Sequence, residues 1–245
     1  MNTEYDNSKN HKKTNKKIIE TYKRWIIEIQ QATPYLLTDE FSNIFCTGIK
    51  KEWFNSDIRI LIVGEEATWK SRNQYNYSDF TEELEECQKW VTNELHKQLY
   101  DKSCKKHTHA FWGRIQDIHK TYTNAQFCWT NIDVINTKEG KALKQKDRKA
   151  LHNCETRLLY EVINLINPTH IIFLGWHNIS LKHEMPELLD IAYPKGISNN
   201  EFLKSENYIF KTKHNGRNII LSYHPNFVPI RNNKNYINKL IDLIK

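Results

Sequence analysis

The segment Arg59-Ile60-Leu61-Ile62-Val63-Gly64-Glu65-Glu66-Ala67-Thr68-Trp69 carries the strongest local signal in the chain. A short apolar run ending on glycine reads as a buried parallel strand, because a strand covered on both faces loses polar alternation. Gly64 lets the backbone turn sharply at the carboxyl end, where open α/β sheets place their ligands. Two adjacent acids are costly beside an apolar sheet unless chemistry or a cation needs them. The plainer alternative stays open: one Glu caps the next helix and the other faces water.

Upstream, residues 1–15 are polar and Lys-rich and predict a flexible basic arm, with residues 16–245 forming one α/β/α domain. Between Lys16 and Gln31, apolar residues at Ile18, Ile19, Tyr22, Trp25, Ile26 and Ile29 have helical spacing. Phe41 to Phe54 is an apolar, aromatic lead-in to the first strand. Downstream, a polar loop at 71–78 precedes a helix reaching about Tyr100, with Asp79 as its cap. Phe111 to Tyr122 predicts another helix. Ala125 to Asn131 reads as a second strand ending on a polar amide, and a basic loop follows at Thr137 to Lys144.

Asp147 to Asn167 is an amphipathic helix stopped by Pro168, and His170 to Gly175 a third buried strand. Tyr208 to Lys213 and Arg217 to Leu221 predict a hairpin with Asn215-Gly216 at its turn. The second arm runs into Tyr223-His224-Pro225-Asn226-Phe227, and a short amphipathic helix closes the chain from about Lys234 to Ile244. This order implies an α/β/α layered fold with a mainly parallel four-stranded sheet. Parallel strands end on one edge, so Glu65 and Glu66, Asn131 and His224 can converge although far apart in sequence.

Composition narrows the function. The 245 residues include 36 Lys and Arg against 29 Asp and Glu, a formal charge of +7 that favours polyanionic partners. Only seven glycines occur, with no G-x-G-x-x-G and no G-x-x-x-x-G-K-[ST], which removes the main support for dinucleotide and P-loop readings. Five dispersed cysteines argue against a disulfide framework and a zinc ribbon. Cys104, His107 and His109 lack a partner pair, so no metal site is expected. No apolar run is long enough for a membrane helix and no secretory leader is visible; the expectation is a cytoplasmic monomer without membrane contact.

Taken together and in order, these motifs resemble the uracil-DNA glycosylase superfamily from about Ile58 to Val228. Gly64-Glu65-Glu66-Ala67-Thr68 is similar to the G-Q-D-P-Y or G-E-x-P-G loop. Asn131 with the Gly140-Lys141-Ala142 loop is similar to the base-reading segment. Cys154 to Gly175 resembles the helix, proline and strand-glycine stretch of the iron–sulfur members, and Tyr223-His224-Pro225-Asn226 the H-P-S loop. The departures are Ala67 for the motif proline, Thr68 for its tyrosine or glycine, and Asn226 for the serine. The cluster cysteines are missing, so no iron–sulfur cluster, metal or other cofactor is expected.

The resemblance implies a role for each position. Glu66, or Glu65 beside it, would stabilise the sugar cation and position water, and His224 would stabilise the departing base anion. Asn131 would read the base edge, with Thr68, Trp69 and Phe111 lining the base pocket. Pro225, Asn226 and Phe227, with Lys138 and Lys141, would hold DNA, and Phe227 or Val228 would fill the gap left by the flipped nucleotide. Tyr75, Tyr77 and Trp112 are further stacking candidates. Thr68 is smaller than the tyrosine that excludes 5-substituted bases, which implies a roomier pocket.

The expected activity is a monofunctional DNA glycosylase acting on uracil or a 5-substituted pyrimidine in single- or double-stranded DNA. A defence role against phage-modified bases, and a DNA-binding module without catalysis, are the alternatives.

Overall fold

The computed structural model describes residues 3–38, 41–42, 44–66, 80–101, 110–137, 143–175, 209–226 and 234–245, with Glu65 and Glu66 described by their backbone. The elements are α1 (Thr3–Ala32), β1 (Arg59–Glu66), α2 (Phe80–Tyr100), α3 (Ala110–Thr121), β2 (Gln126–Asp133), α4 (Gln145–Ile166), β3 (His170–Leu174), β4 (Ile209–His214), β5 (Arg217–Ser222) and α5 (Lys234–Asp242). They form the expected α/β/α sandwich. The sheet runs β2-β1-β3-β5-β4, with the first four strands parallel and β4 antiparallel at the edge.

Burial along β1 explains the layering. Ile60, Leu61, Ile62 and Val63 are all fully buried, and successive strand residues point to opposite faces. Both faces of β1 are therefore covered, as the unbroken apolar run implies. α1 lies against α4 and α2, and α3 lies against α2 and α5. The predicted face of α1 is buried throughout, from Ile18 to Ile29. The aromatic lead-in is core as well: Phe45 and Trp53 are buried, and the Trp53 indole N–H donates to Ile166 O at 2.7 Å.

Two boundaries differ from the sequence reading. The arm predicted over residues 1–15 is helical from Thr3, because extending an existing helix needs no new nucleus. Asn15 also ties this stretch to the fold: its Nδ2 donates to Ile49 O and its Oδ1 accepts from Ile49 N–H, both at 2.9 Å. β2 runs two residues beyond Asn131, because its ladder with β1 continues until Glu66 opposes Asp133. Asn131 is thus an interior strand residue, opposite Gly64.

The turns follow local chemistry. α4 ends with Asn167 in the left-handed region at φ 49°, directly before Pro168. The β4–β5 hairpin turns on Asn215 (φ 49°) and Gly216 (φ 76°), the positive-φ pair that a two-residue hairpin requires. Cys46, Cys87, Cys128 and Cys154 are buried thiols outside any disulfide, and burial pushes the Cys128 thiol up to about 12, so it is held protonated.

Candidate functional site at the carboxyl edge of the sheet

β1, β2, β3 and β5 end on the same edge, at Glu66, Asp133, Leu174 and Ser222. The fold therefore brings Glu65 and Glu66, Asn131, and the His224 turn to one rim. β2 and β5 are three strand spacings apart, about 14 Å, with β1 and its acids between them and adjacent to β2. Ala67, Thr68, Trp69, Tyr75, Tyr77, Lys138, Lys141, Phe227 and Val228 lie outside the described residues, as do Cys104, His107 and His109. Among the described residues no group of His, Cys, Asp and Glu has the arrangement of a metal site.

Asn131 is the best-defined member. It is 2% exposed, and its Oδ1 accepts the Trp129 indole N–H at 3.1 Å. Indole nitrogen only donates, so this contact fixes which end of the amide faces Trp129. The Nδ2 group is then left buried without a hydrogen-bond partner among the described residues. An unpaired buried N–H₂ costs about 1–3 kcal/mol, so its retention needs an explanation. Strand alternation puts Trp129, Asn131 and Asp133 on one face of β2.

Gly64 is what admits the amide. A Cβ at this position would stand 2.3 Å from Asn131 Oδ1 and 3.4 Å from Phe111 Cε2. Asn131 and the half-buried Phe111 therefore meet over the same point of β1, although they come from a strand and a separate helix. Trp129 joins them, with ring centroids 5.9 Å from Phe111, 4.8 Å from Trp112 and 4.8 Å from Phe45. A buried amide, its donors unpaired among the described residues, thus sits beside a wall of aromatic rings.

At the β5 end the Pro225 turn is closed by the Asn226 backbone N–H, which donates to His224 Nδ1 at 3.2 Å. An accepting Nδ1 leaves the proton of the neutral ring on Nε2. The ring is half-buried, Pro225 is buried and Asn226 exposed.

A second polar group at this edge was not anticipated from sequence. Asp133 is buried and pairs with Arg148 on α4, Oδ2 to Nη2 3.3 Å. Glu155, also on α4, accepts the Val134 backbone N–H at 3.1 Å and so pins the exit of β2. Burial first, and the neighbouring Asp133 charge second, push the Glu155 carboxyl well above the usual range. Two signals pointed here: Asp133 repeats the alternation of Asn131, and Glu155 falls among Leu151, Cys154, Leu158 and Leu159 on the apolar face of its helix.

No protein-family model matches the chain, and no curated protein matches its sequence.

Proposed function

We propose that the protein is a monofunctional DNA glycosylase that takes a flipped pyrimidine against Asn131 and hydrolyses its N-glycosidic bond. The supporting observation is the Asn131 amide, buried, oriented by Trp129, and holding two N–H donors without a partner among the described residues. Such donors suit a base edge that presents a carbonyl oxygen, as uracil and its 5-substituted relatives do. Cytosine presents an amino group to the same donors and is disfavoured. One Oδ1 lone pair remains beside the Trp129 contact to accept the ring N–H.

The division of labour follows from the charges that develop. Bond cleavage leaves positive charge on the sugar and negative charge on the base. The acids at the end of β1 would stabilise the sugar cation and orient water. An Nε2–H on His224 would donate to the base anion, and the Pro225-Asn226 turn would hold phosphate. The net charge of +7 favours the DNA backbone through counterion release. No helix among the described residues is long and apolar enough to cross a membrane.

The test is incubation with single- and double-stranded DNA carrying uracil, hydroxymethylated or glucosylated bases, followed by alkali to break abasic sites. Alkali-dependent cleavage that is lost in Glu66→Gln or Glu65→Gln and in His224→Ala supports the proposal. Binding to every substrate with no cleavage supports the alternative of a DNA-binding module. Cleavage confined to the hydroxymethylated or glucosylated DNA would favour the defence role.

A further inference from the structure

A cavity of about 260 Å³ opens at the opposite end of the sheet, where β2 begins, between α2 and the segment leading to β1. Gln126 and Phe127 line it, about 20 Å along the strand from Asp133, so it is separate from the carboxyl edge. Its floor is apolar: Trp53 and Leu95 are buried and Phe127 half-buried. The Trp53 indole N–H is already spent on Ile166 O, so that ring presents a ligand with apolar surface.

The wall has two features that point to one kind of ligand. Lys50 reaches the cavity half-buried, and loss of water lowers its pKa. Its ammonium has no ion pair or hydrogen bond among the described residues. Glu52, which also lines the cavity, is drawn instead to Lys51 at 3.5 Å and only partly offsets that lowering. Opposite stand His96 and Tyr100, one turn apart on α2, with ring centroids 4.7 Å apart and planes tilted by 35°. Tyr100 is 47% exposed, a large ring left at the mouth, and is braced edge-on by His119 at 4.7 Å.

We propose that this cavity binds a small aromatic anion, its ring against Tyr100 and Phe127 and its carboxylate or phosphate on Lys50. The volume lies below the roughly 300–1,000 Å³ typical of drug-sized ligands, which limits the occupant to one ring with a short acidic arm. An anion gives the underhydrated ammonium a charge-assisted partner, the strong class of hydrogen bond. This site does not depend on the base-excision proposal.

The experiment titrates the full chain with phenylacetate, phenyl phosphate and the neutral phenylacetamide, by calorimetry and by amide NMR shifts. At least one acid should bind about tenfold more tightly than the amide, and which acid does so distinguishes carboxylate from phosphate. Lys50→Gln should erase that preference, Lys50→Arg should restore it, and Tyr100→Ala should weaken all three ligands. Equal binding of acids and amide, no binding up to about 10 mM, or a preference unchanged in Lys50→Gln would overturn the proposal. Because the wild-type comparison alone separates charge from shape, the test survives a variant that folds poorly.

Discussion

Replacing Gly64 by Ala probes the contact on which the carboxyl edge is built. Gly64 does not have a positive φ, so the backbone accepts alanine and the penalty comes from the new methyl group alone. That methyl would lie 2.3 Å from Asn131 Oδ1, about 0.7 Å inside the closest approach that carbon and oxygen tolerate. Gly64 is held in the β1–β2 ladder opposite Asn131, so the amide has to yield, and it cannot do so without stretching the 3.1 Å bond from Trp129 Nε1. A buried indole N–H left unpaired costs about 1–3 kcal/mol, and forcing a methyl into a packed site about 1–3 kcal/mol more.

Because the two penalties overlap, the expected loss is about 2–4 kcal/mol, or a fall in Tm of roughly 4–16 °C for a chain of this length. Gly113→Ala is the control. It lies within α3 with nothing within 4 Å of its would-be Cβ, and should stabilise by about 0.5–1 kcal/mol. The assay is urea unfolding of both variants, with the Trp129 indole proton followed by NMR. A Gly64→Ala protein within about 0.5 kcal/mol of wild type, with that proton unmoved, would refute the described packing of Asn131.

Trp129→Phe keeps a ring but frees the Asn131 amide to turn, so discrimination between uracil- and cytosine-containing DNA should fall about tenfold or more, read as relative cleavage rates. Asn131→Ala should lower excision by about a hundredfold while costing about 1–3 kcal/mol of stability, since it leaves the buried Trp129 indole N–H without its acceptor. Glu155 binds its proton more tightly folded than unfolded. Its contribution is therefore fully present below the unfolded carboxyl pKa near 4.5 and is lost as pH rises through the higher folded value. The difference in stability between wild type and Glu155→Gln should change in that direction across the pH range, and parallel curves would contradict it. His170 is the opposite case: burial lowers its pKa, and the neutral ring bonds Thr169 Oγ1 through Nδ1 and Asn218 Nδ2 through Nε2, both at 2.9 Å. Its share of stability is present above the usual value near 6.5 and is lost as pH falls through the lower folded one, which NMR titration of the ring should show.

The parts of the fold that were legible were those where one residue type has one physical use. An unbroken Ile60–Val63 run has no solvent face to offer, so it had to be a strand covered twice. Asn215-Gly216 had to be a tight turn because both positions need positive φ. The apolar stripe of α1 announced its buried face, but the polar stretch before it carried no period. It is helical as a continuation of α1, and Asn15 ties it to Ile49, 34 positions away.

The site was legible to the extent that strand ends share an edge. Asn131 was visible as an amide on an apolar strand, yet its depth was not, because strand length is set by pairing with β1. Its orientation depends on Trp129, two residues away and on the same face, which sequence alone reads as core. Asp133, Arg148 and Glu155 form one group only after α4 is laid beside β2. A buried acid on a helix is hard to tell from a solvated one until the neighbouring strand is known.

As proposed above, the carboxyl edge receives an extruded base against Asn131. A crystal structure with DNA carrying 2′-fluoro-2′-deoxyuridine, whose glycosidic bond resists hydrolysis, tests it most directly. The uracil should stand out of the helix, with a carbonyl oxygen within about 3 Å of Asn131 Nδ2, Phe111 along the ring, and the sugar facing the end of β1. DNA bound with the uracil still stacked, or bound on another face of the protein, would contradict it.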